Sequence, residues 1–217
     1  MKYRILVKRL NQVFRHGSDL DARVARLAVL FEDLRLETMA ASQESIPNLD
    51  ESGVELRRFY FVRRSIATLR EFSEALASLD THPDFEPTRA RFDPVSQIQW
   101  SKSIAFFRRW HRYLRDIRND FGGHFGHAAA RFAIDNLHDG GAVFEYAANP
   151  LKNTGTVRFK FAWQIVAASM RRHSRADGLA DHFRLMFRLV LAAYGHAARC
   201  SQILARYDLW LRFSPAR

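Results

Sequence analysis

Cys200 is the sole cysteine in 217 residues, which excludes an intrachain disulfide and a zinc centre built on several thiolates of one chain. A reducing compartment suits such a chain, so the expected location is cytoplasmic. Long apolar runs are also missing. Met1 to Arg9 is interrupted by Lys2, Arg4, Lys8 and Arg9 before a signal-peptide core can form. No later stretch supplies the roughly 20 uninterrupted apolar residues that a membrane span requires. The expectation is a soluble protein without a membrane partner. Acidic residues are in deficit, 23 against 34 Lys and Arg, for a formal net charge of +11. A surplus of that size points to polyanionic partners, nucleic acid first and an anionic membrane surface second.

Several catalytic signatures are absent too. There is no phosphate-binding loop ending in Gly-Lys-Ser/Thr, no His-Glu-x-x-His and no Gly-x-Ser-x-Gly. A di-iron bundle requires two Glu-x-x-His pairs, and none occurs. His138-Asp139 has the form of the metal-binding doublet of helical phosphohydrolases, but it abuts Gly140-Gly141 at an expected helix end, where ligation from a helix face is hard to arrange. His124 and His127 have metal-ligand spacing without evident further ligands, and Arg131 beside them disfavours a cation. No metal and no cofactor are expected.

What the chain does contain is helical periodicity. With 47% hydrophobic residues it is long enough for one sizeable core, and residues 1–217 read as a single domain. Met1 to Arg15 reads as a short helix that stops at His16-Gly17. Leu20, Val24, Leu27, Phe31 and Leu34 form a stripe after the N-cap candidate Ser18-Asp19. Phe59, Val62, Ile66, Leu69, Phe72, Leu76 and Leu79 form another along about 54–79. The turn formers of 42–53 predict a loop. Residues 80–94, with Pro83, Pro87 and Pro94, predict a second loop, partly ordered or acting as a lid.

A central helix is expected from Ser96 to Asn119 or Asp120. Its apolar arc holds Phe106, Phe107, Trp110, Tyr113, Leu114, Ile117 and Phe121, and its opposite arc holds Arg108, His111, Arg112 and Arg115, with Arg118 on the border. The next helix, to about Leu137, sets Phe125, Ala129, Phe132 and Ala133 against His124, His127, Arg131, Asp135 and His138. The period then becomes two. Val143 to Tyr146 and Thr156 to Phe161 predict a β-hairpin inserted near residues 142–161. Residues 162–173 and a long final helix from about Leu179 to Tyr207 complete the pattern. The fold class is thus mainly α, a helical bundle with one inserted hairpin.

Between the two middle helices stands Arg118-Asn119-Asp120-Phe121-Gly122-Gly123-His124. In an unbroken helix Arg118 and His124 would lie about 240° apart. The Gly122-Gly123 pair weakens the helix there, and a bend would bring guanidinium and imidazole to one mouth. Arg118-Asn119 followed by His124 resembles the motif of the HEPN superfamily, an Arg and a polar residue preceding a His. The resemblance rests directly on these seven residues.

The resemblance implies a helical bundle that often dimerises and, in many members, a metal-independent endoribonuclease. By that similarity Arg118 holds and neutralises the scissile phosphate, His124 transfers protons and Asn119 orients the arginine or the RNA. Arg108, Arg112, Arg115, His127 and Arg131 are the candidate nucleic-acid-binding residues. The expected partners are RNA or another nucleic acid and a second copy of the chain, with a protein partner or inhibitor as a further possibility. The first alternative is a non-catalytic nucleic-acid or protein-binding module of the same family, and the second a metal-dependent phosphohydrolase.

Overall fold

The computed structural model describes residues 8–43, 51–122, 127–135, 144–146, 157–159, 165–166, 168–169, 179–209 and 212. Four long amphipathic helices make its framework, because each carries an apolar stripe that leaves water only by packing on the others. After the short α1 (Leu10–Val13) come α2 (Asp19–Ser42), α3 (Glu51–Asp80), α4 (Glu86–Arg89), α5 (Pro94–Ile117), α6 (His127–Asp135) and α7 (Leu179–Leu204). The order of the long four is up, down, up, down. Arg23 Nη1 donates to the Ser78 carbonyl (3.3 Å) at one end of the α2–α3 pair, and Arg57 Nη1 to the Ala40 carbonyl (2.7 Å) at the other. α5 returns along α3, with Trp100 Nε1 on Asp80 Oδ1 at 2.7 Å, and α7 descends beside α5, with Ser103 Oγ 3.0 Å from His196 Nδ1.

Most residues of the stripes expected from periodicity are buried, while Phe31, Phe59, Phe106, Trp110 and Tyr113 are partly so. Leu20, Val24, Leu27 and Leu34 of α2 and Val62, Ile66, Leu69, Phe72, Leu76 and Leu79 of α3 meet Trp100, Phe107, Leu114 and Ile117 of α5 and Met186, Val190, Ala197 and Leu204 of α7. Phe31 stacks on Tyr194 and Phe59 lies against Phe183, both with centroids 6.0 Å apart, so aromatic pairs join the helices at the core margin. Caps fix where helices start. Ser18 Oγ accepts from the Asp21 amide at 3.2 Å, and Asp93 Oδ1 accepts from the Ser96 amide at 2.8 Å just before Pro94.

Residues 80–94, expected as a loop that is partly ordered or a lid, contain two short helical turns. Pro83–Phe85 is a 3₁₀ turn leading into α4, and Phe85 and Phe92 are buried on Trp100 with centroids 5.4 and 5.6 Å away. Three packed aromatic rings anchor the segment, which the count of turn formers did not reveal. The start of α5 is tied to the end of the last helix by Asp93, which accepts from the Tyr207 hydroxyl and pairs with Arg206 Nη1 at 3.2 Å. The Tyr207 hydrogen bond, with those from Ser96, holds the Asp93 carboxyl down at about 2.

Two helices end in π turns, Arg118–Gly122 after α5 and Ala205–Leu209 after α7. The predicted break at Gly122-Gly123 therefore begins earlier, at Arg118; residues 123–126 lie outside the described residues. α1 is shorter than the expected helix over Met1 to Arg15, of which residues 1–7 are likewise outside. The inserted hairpin over 142–161 is not supported as a unit. Only Phe144–Tyr146 and Val157–Phe159 pair, antiparallel, with Glu145 opposite Arg158; the turn and flanks fall outside the described residues. The architecture shown is the helical bundle. No helix among the described residues is long and apolar enough to cross a membrane.

Candidate functional site

A helix advances about 100° per residue, so Arg108, Arg112 and Arg115 fall within an arc of about 60° on α5. All three are exposed. Arg115 pairs with the neighbouring Asp116 at 3.0 Å, whereas Arg108 and Arg112 make no ion pair among the described residues. Arg118 and Asn119 continue this edge at the start of the π turn, and both are exposed. Beside the expected border position of Arg118, Leu114 and Ile117, 0% and 1% exposed, fill the core, and Arg118 itself is exposed. Arg118 has no ion-pair partner among the described residues, so its charge is available to an anion.

π turns inside helices insert an extra residue per turn and occur frequently at functional sites. Here the turn starts on the arginine that the motif selects. His124 lies outside the described residues, so the structure does not set its imidazole against Arg118. Beyond it, α6 places Ala129 and Ala133 inward and His127, Arg131 and Asp135 in solvent, as the two-face pattern predicts; Arg131 and Asp135 approach to 4.0 Å. His138 is outside the described residues. His111 lies on the same arc but is half-buried, and Arg70 Nη1 donates to its Nδ1 at 3.2 Å.

Sequence reading did not identify a cleft of about 470 Å³ at the other end of the same edge, lined by Asp80, Glu86, Arg89, Trp100, Gln97 and Arg108 among others. Its residues come from the end of α3, from α4 and from α5, and no spacing in the sequence links them. Arg89 sits between two carboxylates, 3.4 Å from Asp80 Oδ1 and in contact with Glu86 Oε2. Trp100 Nε1 and Arg89 Nη1 both reach Oδ1 of Asp80, which leaves Oδ2 without a partner among the described residues.

A buried polar cluster lies deeper in the α5–α7 interface. His196 stacks on Phe106 with centroids 4.3 Å apart, and its pKa is lowered by burial and by Arg199. Cys200 is fully buried, and burial pushes its thiol up to about 12. At that value the nucleophilic thiolate is scarce at neutral pH. Cys200 is therefore expected to resist a thiol-labelling reagent in the folded protein and to react promptly in denaturant, which a colorimetric thiol assay reads directly. Rapid labelling of the folded chain would show that the α5–α7 seam opens.

Among the described residues no group of three or more His, Cys, Asp or Glu side chains is arranged to hold a metal ion. The chain matches no protein-family model, no curated protein and no solved structure.

Proposed function

We propose that this chain binds single-stranded RNA along the Arg108–Arg118 edge and cleaves it without a metal, as the resemblance of Arg118-Asn119 and His124 to the HEPN motif implies. The supporting observation is the position of Arg118: exposed, without an ion-pair partner among the described residues, on a π turn that extends a line of exposed arginines. A ribose 2′-hydroxyl attacks its own phosphate when charge on the phosphorane is stabilised and a group titrating near neutrality moves protons. Arg118 supplies the first function and His124 the second, with Asn119 orienting the arginine or the strand. A second copy of the chain, meeting the first around the motif, would double the set of groups through a two-fold axis.

Four arginines on phosphates give a defined salt response. The logarithm of the RNA-binding constant is expected to fall with the logarithm of salt concentration at a slope of roughly −3 for a single strand. Replacing Arg108, Arg112 and Arg115 together by Ala reduces the slope by about 2 in that treatment, since three of the four contacts are gone. Fluorescence anisotropy of labelled RNA measures both. Salt-independent binding, or no binding at low salt, would move the assignment to a protein partner. Cleavage of end-labelled RNA with EDTA present tests the chemistry, and binding without cleavage would leave a non-catalytic RNA-binding module.

A further inference from the structure

The arginine edge ends in a cleft of different electrostatic character. Within it Arg89 is neutralised between Asp80 and Glu86, so the two carboxylates and the two arginines Arg89 and Arg108 sum to zero. A phosphate has no advantage in such a cleft, because the carboxylates repel it. A neutral, planar group rich in N–H donors fits better, since ionised carboxylates are acceptors only.

Asp80 is rigidly placed for that task. Its side chain is 17% exposed and lines the cleft, and the Trp100 indole and Arg89 hold it through Oδ1, which leaves Oδ2 without a partner among the described residues. Gln97, whose Nε2 is engaged by the Phe92 carbonyl at 3.1 Å, and Glu86 add acceptor oxygens to the lining. Of the four RNA bases only guanine offers two adjacent donors, N1–H and the N2 amino group, to a carboxylate on its Watson–Crick edge, while its O6 and N7 accept from arginine. The cleft volume of about 470 Å³ is ample for one base with its ribose.

We propose that this cleft is a guanine-binding subsite, with Asp80 and Glu86 reading the N1–H and N2 amino donors and Arg108 holding the adjoining phosphate. The subsite rests on the RNA-cleaving reading for its biological use but not for its binding chemistry. Ten residues of mainly α-helical rise separate Arg108 from Arg118, roughly 15 Å. A guanosine seated in the cleft therefore lies a few nucleotides from the phosphate at Arg118, where it sets the register of the strand.

The test has two arms. In the first, the full chain is titrated calorimetrically with GMP, AMP, CMP and UMP. GMP is expected to bind at least about tenfold more tightly than the other three, because a site built on hydrogen bonds rejects ligands that leave its groups unpaired. Glu86→Gln, at an exposed position, and Asp80→Asn are each expected to remove that preference; equal binding of all four nucleotides, or a GMP preference that survives both variants, overturns the subsite. In the second arm a single guanosine is moved stepwise along an otherwise guanine-free RNA, and cleavage is expected to follow it at a fixed spacing. Cleavage at unchanged positions overturns the subsite and leaves the nuclease reading standing. GMP selectivity without any cleavage removes the nuclease reading and leaves the subsite.

Discussion

His124→Ala is expected to lower RNA cleavage by about 10²- to 10⁴-fold, the usual cost of losing a positioned proton-transfer group. Arg118→Ala is expected to lower it by about 10²- to 10³-fold, the loss that follows removal of one electrostatic stabiliser of a developing oxyanion. Arg118 is exposed and fills no part of the core, so the folded state of Arg118→Ala should be within about 0.5 kcal/mol of the parent. Thermal unfolding by circular dichroism checks that before activity is compared. His127 and His111 are the internal controls. His127 is exposed on α6, and His111 is engaged by Arg70, so neither replacement should reproduce the loss seen with His124→Ala. Added divalent metal should rescue none of the variants. If His127→Ala is as damaging as His124→Ala, the proton-transfer role is shared or misassigned; if both motif variants unfold, Arg118 and His124 are structural groups of the bend.

The largest expected effect on stability lies far from that edge, where the two ends of the described chain are clasped together. Asp21 is 1% exposed and receives Arg15 Nη2 at 3.1 Å and Arg212 Nη1 at 2.8 Å. Arg212 also pairs with Asp208 at 2.9 Å, donates to the Val13 carbonyl at 3.2 Å and receives Lys8 Nζ on its own carbonyl at 2.8 Å. One carboxylate thus joins α2 to the segment before it and to the region after the final π turn. Asp21→Ala leaves Arg212, 15% exposed, with half of its charge compensation, and the expected cost is about 3–5 kcal/mol, as for other buried pairs broken on one side. Urea denaturation reads it; a loss under 1 kcal/mol would mean that water solvates the clasp.

The same group fixes the acid response. Burial alone raises the Asp21 pKa, but hydrogen bonds from Arg15 and Arg212 outweigh it and hold the carboxyl well below its ordinary value. A depressed folded pKa means that the contribution is complete above the unfolded value of about 3.9 and is lost as pH falls below it toward the folded value. Stability should therefore fall below about pH 4 in the parent and change less steeply there in Asp21→Ala.

The sequence carried the bundle because each long helix buries a single stripe. Leu27, Leu34, Ile66, Leu76 and Leu114, each at most 1% exposed, all lie on stripes set out by spacing alone. Periodicity says which face is buried but little about contacts between segments far apart in the chain. The aromatic packing of Phe85 and Phe92 on Trp100, the clasp on Asp21 and the cleft at Asp80 depend on residues brought together by the fold. Local helix geometry was not legible either: the core closes at Ile117 and the helix changes to a π turn at Arg118, which is exposed. The candidate site was thus legible as a motif and as a line of arginines, while the pocket beside it was not.

The central claim is metal-independent RNA cleavage through attack of the 2′-hydroxyl. Its most direct test is to incubate the purified chain with an end-labelled single-stranded RNA in EDTA and to analyse the new ends by mass spectrometry. Fragments carrying a 2′,3′-cyclic phosphate and a free 5′-hydroxyl, produced by the parent and absent with His124→Ala, are the predicted result. Intact RNA after prolonged incubation with binding-competent protein, or cleavage that requires a divalent metal, would contradict the account.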